Sequence, residues 1–280
     1  MNIITNHPMG KETTFKCGGK ARWFAVVQDL NSFANILKLH CDKPYYILGN
    51  GSKTLCSDKG FDGLVISTKN LNNISLDNDL VVCECGVNLF SLNYFLAENS
   101  LKGLEWSQGI PASVGGAVNM NAGAFEFSIG QFVEKVEVFE KNERKILDKS
   151  EISFAYRYSS LKNIPIFRVW FKFEKGDKKE ILERQSYYLN KKTTTQPMEF
   201  GSAGSIFKRN GEIIPAKIID NLGLKGVRIG GAEISEKHCG FIVNKKNPSA
   251  TDVINLIKLI KTKVKNETGI EFEEEIIIME

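Results

Sequence analysis

Gly109-Ile-Pro-Ala-Ser-Val-Gly-Gly-Ala-Val-Asn-Met-Asn-Ala-Gly-Ala124 carries no charged side chain and almost no bulky one. A loop of such residues loses much backbone entropy on ordering and has little apolar area to offset it. Tight packing of one element on another is one explanation. A large flat ligand against the segment is the other, and it also accounts for the lack of charge, which is unusual in a surface linker.

The elements on either side are read from periodicity. Trp23 to Val27 reads as a strand, and Asp29 caps a helix whose Phe33, Ile36 and Leu37 share a face. Tyr45–Leu48, Leu64–Ile66 and Leu80–Cys85 are further strands, and Leu89, Leu92 and Leu96 line a helix that runs to about Leu101. Beyond the small-residue stretch, Val133–Phe139 and Ile166–Phe173 alternate like antiparallel strands with one face in a core. Charged Lys175 to Lys192 reads as a polar helix ended by Thr193-Thr-Thr-Gln-Pro197. A helix over Ile213 to Asn221 closing at Gly223, a strand at Gly240–Asn244, a helix from Ser249 and a last strand over Glu271 to Met279 complete the chain.

Composition bounds the function. The 280 residues suffice for a sizeable core and two domains. Lys and Arg (37) nearly balance Asp and Glu (33) and are spread along the chain, so no footprint for nucleic acid or an anionic membrane stands out. The first residues have neither a basic nor an apolar region of a leader, and no apolar run approaches the ~20 residues that span a bilayer. Six cysteines without repeated spacing read as reduced cytosolic thiols, and the three histidines make a His-rich metal site unlikely.

Leu48-Gly-Asn-Gly-Ser-Lys-Thr54 fits neither common phosphate loop. A Walker A loop needs Gly where Ser52 and Ile47 stand, and the dinucleotide fingerprint needs Gly at Thr54 with a helix after it. A plain turn and an anion cradle of another fold remain open for it.

The ordered set of motifs is similar to one family. Thr13-Thr-Phe-Lys-Cys-Gly-Gly19, Leu48 to Thr54, Gly109 to Ala124, Phe154-Ala-Tyr-Arg-Tyr-Ser159, Gln196-Pro197, Gly201-Ser-Ala-Gly-Ser-Ile-Phe-Lys208, Gly223-Leu-Lys-Gly226, Gly230-Gly-Ala232, Ser235 to Asn244 and Glu273-Glu-Glu275 resemble, in that order, the UDP-N-acetylenolpyruvoylglucosamine reductases. The resemblance implies an α+β protein. Its FAD-binding half would consist of two small α/β subdomains of the VAO/PCMH flavin type (residues 1–65 and 66–176), followed by an α+β substrate-binding domain (177–280). It implies tightly but non-covalently bound FAD, NADPH as reductant, no metal, and a monomeric cytoplasmic enzyme of cell-wall precursor synthesis. The enzyme would reduce the enolpyruvyl group of UDP-N-acetylenolpyruvoylglucosamine to give UDP-N-acetylmuramate.

The same resemblance assigns roles. Leu48, Gly49, Asn50, Gly51, Ser52, Lys53 and Thr54 would contact the FAD pyrophosphate, and Pro111, Ser113, Gly115, Gly116, Asn121, Ala122, Gly123 and Ala124 would surround the cofactor. Hydride addition to an alkene conjugated with a carboxylate drives charge onto the carboxylate oxygens, and that charge needs cationic or protonated groups already in place. Arg157 would meet the first need with its fork of donors and Glu275 the second as a protonated carboxyl. Ser205 would donate the proton, with Tyr156 shaping the substrate side and Lys208 and Arg209 binding substrate phosphate. His238 would pack structurally. Three positions depart from the family pattern: Arg209-Asn210 where Asn-Pro is common, Ile277 where Arg is common, and Lys53 where Asn is common. A flavin oxidase of the same superfamily and a nucleotide-sugar-binding protein without catalysis are the rival expectations. Flavin that stays with the denatured protein would favour the first, and colourless protein that binds the UDP-sugar the second.

Overall fold

The computed structural model describes residues 2–40 and 42–280. The chain divides into two compact units that interleave in sequence. Unit 1 comprises Met1–Ile4, Phe24–Asn50 and Leu64–Lys192, and unit 2 comprises Thr5–Trp23, Gly51–Gly63 and Thr193–Glu280.

In unit 1 a five-stranded antiparallel sheet has the order Glu143–Asp148, Val133–Glu140, Ile166–Lys172, Leu80–Glu84, Ile74–Asp77. Ile166–Lys172 alternates from Phe167 on, with Phe167, Val169 and Phe171 fully buried, whereas Val133–Glu140 alternates only in part: Val136 to Phe139 are all buried, around a register shift between Glu137 and Val138. Helix α1 (Leu30–Leu39) starts where Asp29 accepts from Ser32 N while Ser32 Oγ accepts from Asp29 N, a reciprocal cap of about 1 kcal/mol. Its Phe33 stacks on Phe167 with ring centroids 4.5 Å apart. Such a pair contributes about 0.5–1.5 kcal/mol beyond its buried area. Strand Tyr45–Leu48 runs parallel to Phe61–Ser67, Leu48 opposite Ser67, so the glycine loop leaves from a strand end. Helix α2 (Leu89–Glu98) is capped by Asn88 and buries Leu89, Leu92 and Leu96. The short helix α3 (Val114–Asn119) follows Ser113, whose Oγ accepts from Gly116 N.

Helix α4 (Lys178–Thr195) runs three residues further than the sequence suggests. Three threonines do not stop it, because β-branching weakens a helix only slightly; Pro197 does, by excluding Gln196 from helical backbone. The helix also hides a charge that its polar sequence conceals. Lys192 is 2% exposed, and its Nζ donates to the carbonyls of Trp106 (3.0 Å) and Gln108 (2.7 Å). Burial pushes the amine down to about 7. The folded value lies below the unfolded one, so from about pH 7 up to the ordinary lysine range the unfolded chain holds the extra proton. Stability should therefore rise with pH across that window, by at most about 1.4 kcal/mol per unit, and carry the full penalty below it. The buried thiols of Cys17 and Cys56, pushed up to about 12 and about 11, act in the opposite sense only above the ordinary thiol range. Melting measured between pH 7 and about 8.5 should show this rise in the parent and a flatter profile in Lys192→Met. Parallel profiles would remove Lys192 as the cause.

In unit 2 a four-stranded sheet has the order Gly201–Ser205, Phe241–Asn244, Ala232–Ile234, Arg228–Ile229. Helix α5 (Pro215–Asn221) starts on a proline at its first position, with Gly223 left-handed just past its end. Helix α6 (Ala250–Thr268) opens on a reciprocal cap between Ser249 and Asp252 and ends on left-handed Gly269. Its Val253, Leu256, Ile257, Ile260 and Val264 share one core with Ala232, Ile234, Ile242 and the N-terminal Phe15. Asp58 also serves this helix start, accepting from Ala250 N and Thr251 N at 2.9 and 2.7 Å.

The last strand is shorter than the sequence suggests, Ile277–Met279 in parallel with Thr54–Cys56. Residues 273–275 run alongside 206–208 instead, forming one bridge between Phe207 and Glu274. Lys208 N donates to Glu273 O (2.8 Å) and Glu275 N to Ile206 O (2.7 Å). The five cysteines among the described residues are free and buried; Cys41 lies outside them.

Candidate active site

In unit 1 the small residues have separate reasons. A Cβ on Gly49 would lie 2.1 Å from Ser113 Oγ, on Gly115 2.8 Å from Cys85 Cβ, and on Gly123 2.4 Å from Phe127 O. These three are packing glycines. Gly116 differs: it is exposed in α3, and the only atom near a Cβ there would be Ser113 Oγ at 3.2 Å. A helical glycine costs about 1 kcal/mol against alanine, and the protein's own packing gives little return for it. Pro111 is exposed beside it, while Ser113 is buried as the helix cap.

Asn121, Ala122, Gly123 and Ala124 are tied down by side chains. Asn121 has φ +47°, donates to Ala155 O (2.8 Å) and accepts from Gly130 N (3.0 Å). The hairpin of Phe154–Ala155 and Tyr158–Ser159 leaves Tyr156 and Arg157 as its two turn residues. Arg157 sits at φ +53°, and its Nη2 donates to Gly123 O at 3.0 Å. Left-handed backbone at a bulky non-glycine residue costs roughly 1–3 kcal/mol and collects at functional sites. The guanidinium lies 4.9 Å from the ring centre of half-exposed Tyr156.

In unit 2 the continuation of the glycine loop is built with equal economy. Gly51 has φ +62°, and a Cβ there would lie 2.4 Å from Glu12 O. Thr14 N donates to Gly51 O (3.2 Å), and Thr14 Oγ1 donates to Ser202 O (2.7 Å). Thr54 is buried in its strand, and Ser52 is half-buried. Lys53 reaches Ser205: its Nζ donates to Ser205 O at 2.7 Å and lies 2.7 Å from Glu275 Oε1. Ser205 itself stands where the pairing with Phe241–Asn244 slips register, next to left-handed Gly204.

The three glutamates read as an acidic terminus are three separate ion pairs. Glu273 meets Lys208, Glu274 meets Lys261, and Glu275 meets Lys53. Their side chains are 72%, 33% and 5% exposed, so burial singles out Glu275. Arg209 is exposed and donates from Nε to Gly211 O. Ile277, where the family commonly has arginine, is 47% exposed. His238 packs edge-on to Phe241 and accepts from Gly240 N through Nδ1, and burial lowers its basicity.

Each unit has one feature that a flavin nucleotide would fit. In unit 1 Gly116 leaves an exposed helical face with no Cβ; in unit 2 Thr13 Oγ1, beside Gly51, is a buried hydroxyl with no partner among the described residues. A buried donor left unpaired costs about 1–3 kcal/mol, which a polar ligand oxygen would recover. The sequence reading quotes Thr13 in its motif but gives it no role, and it foresees none of the contacts that Lys53 makes.

Residues 22–144 match the family described as "FAD binding domain". Residues 196–279 match "UDP-N-acetylenolpyruvoylglucosamine reductase, C-terminal domain". The curated UDP-N-acetylenolpyruvoylglucosamine reductase of Thermotoga maritima is 42% identical over 269 residues, 95% of each chain. That of Clostridium tetani is 39% identical, over 99% of this chain and 92% of its own. The crystal structure of the Thermus caldophilus UDP-N-acetylenolpyruvylglucosamine reductase superposes with a TM-score of 0.86 at 32% identity, covering 100% of this chain and 98% of that one. With a built glycine loop, a Ser205–Lys53–Glu275 group joined by one ammonium and this likeness over nearly its whole length, the chain belongs to the UDP-N-acetylenolpyruvoylglucosamine reductase family.

Proposed function

We propose that this protein is an FAD-containing oxidoreductase that reduces UDP-N-acetylenolpyruvoylglucosamine to UDP-N-acetylmuramate at the expense of NADPH. It would act as a cytoplasmic monomer in peptidoglycan precursor synthesis. Bound FAD, reduced by NADPH, would supply the hydride. Leu48 to Thr54, Pro111 to Gly116 and Asn121 to Ala124 would hold it, with Thr13 contributing its unpaired hydroxyl.

The protein's own residues would manage the charge and the proton. Hydride addition to the methylene carbon leaves an electron pair on the adjacent carbon, delocalised into the carboxylate. Arg157, held by Gly123 O and its left-handed turn, would meet the carboxylate oxygens with two parallel donors. Ser205 would give its hydroxyl proton to the carbon. A serine is a weak acid, but the carbanion is a far stronger base. Glu275, the carboxyl expected to meet the developing charge, would act from beside the Lys53 ammonium, and Lys208 and Arg209 would meet the substrate diphosphate. The observation that carries this reading is that Ser205 and Glu275, distant in sequence, share one ammonium.

Protein reconstituted with FAD and given NADPH and the enolpyruvyl nucleotide should yield a product two mass units heavier. An unchanged nucleotide mass would refute the assignment. Gly116→Ala supplies a local test of the cofactor face. It should keep the melting temperature within a few degrees and weaken FAD binding tenfold or more; unaltered affinity would leave that face without a ligand.

A further inference from the structure

We infer that Lys53 is a positioning residue for proton delivery, one ammonium that fixes the Ser205 backbone and the Glu275 carboxylate relative to each other. This rests on the functional reading above. Lys53 arrives from the glycine loop, Ser205 from an irregular strand edge and Glu275 from the segment before the last strand. Backbone bonds hold the flanks, with Ile206 N on Gly240 O and Glu275 N on Ile206 O, but the strand register slips between Ser202 and Ser205 and Gly204 is left-handed, so the Ser205 carbonyl lies outside the regular ladder. The Lys53 ammonium takes that carbonyl at 2.7 Å and the Glu275 carboxylate at 2.7 Å, joining the backbone that carries the hydroxyl to the acid.

Burial separates this pair from its neighbours. Lys208–Glu273 and Lys261–Glu274 have at least one partner a third or more exposed, where an ion pair contributes little. Lys53 and Glu275 are 19% and 5% exposed. Removing one partner there takes away a short contact in a poorly solvated place, so the arrangement should relax. A displacement of about 1 Å at a proton donor is enough to cost about a hundredfold in rate. Asparagine, common at this position in the family, is shorter and carries no charge to offer Glu275.

The test uses the holoenzyme under anaerobic conditions and follows the two half-reactions by flavin absorbance. Lys53→Met should slow reoxidation by the enolpyruvyl nucleotide about 10- to 100-fold, and slow reduction by NADPH at least tenfold less. The loss should fall on the rate constant more than on nucleotide affinity measured calorimetrically with the oxidised enzyme. In a Glu275→Gln background the same substitution should cost clearly less than in the parent, because the ammonium then no longer ties Ser205 to a charged acid. Lys261→Met, which strips the neighbouring glutamate of its lysine, should change reoxidation by under twofold. Equal slowing of both half-reactions, full additivity with Glu275→Gln, or an unslowed Lys53→Met would each overturn the inference. A melting cycle on the same four proteins is read in every case: Lys53→Met should lower the melting temperature less when Glu275 is already Gln, and independent losses would also overturn it. If the parent's reduced flavin is not reoxidised by the nucleotide, the functional reading fails, and the melting cycle alone decides the Lys53 pairing.

Discussion

Ser205→Ala is expected to slow the nucleotide half-reaction by about 10²–10⁴-fold, the usual range for a positioned proton donor. Reduction of the flavin by NADPH should stay within a few-fold, because that step needs no proton from residue 205. The Ser205 backbone carbonyl, which takes the Lys53 ammonium, survives the substitution, so the loop geometry should persist. The side chain is half-buried on a strand edge and carries no packing load comparable with Ile206 or Phe207, which are nearly fully buried. Ser205→Cys should recover part of the rate, since a thiol is a stronger acid in a similar place. An alanine variant with both half-reactions slowed alike would remove the hydroxyl from its proposed role.

Arg157→Met should lower kcat/KM for the enolpyruvyl nucleotide by about 10²–10³-fold, the range for one donor lost opposite developing oxyanion charge. Arg157→Lys should recover only a part. A lysine restores the charge but not the parallel donors, nor the donation by which Nη2 holds Gly123 O. Both variants keep a non-glycine side chain at φ +53°, so backbone strain is common to them and cancels in the comparison. Full recovery with lysine would mean that a point charge suffices and that the fork geometry has no role.

Much of this architecture is legible in the residues because the signals are local. Asp29 and Ser249 cap α1 and α6 through their own side chains, and Phe33, Ile36 and Leu37 or Val253, Ile257 and Ile260 repeat at helical spacing. Ile166–Lys172 alternates from Phe167 on because one of its faces lies in the core. What is not legible is set by distant partners. The last strand loses its first half because Glu273 and Glu275 bond to residues 206–208, which no pattern within Glu271 to Met279 encodes. The burial of Lys192 against Trp106 and Gln108 is invisible in a run of polar residues. So is the interleaving of the two units, since residues 5–23 carry no mark of belonging with 193–280.

At the site the same division holds. The motif around Ser205 and the acidic run could be picked out by resemblance, but taken alone Glu273, Glu274 and Glu275 look equivalent. Their exposures, falling from 72% to 5%, separate them only once the fold is built. Lys53 reads as a substitution in a phosphate loop, and only the fold shows that its side chain reaches Ser205 O and Glu275.

The most direct test of the account is a single turnover without oxygen, read at the flavin band. NADPH should bleach the band, and one equivalent of UDP-N-acetylenolpyruvoylglucosamine should then restore it, releasing one equivalent of UDP-N-acetylmuramate. A band that stays bleached with the nucleotide present and returns only when air is admitted would contradict it.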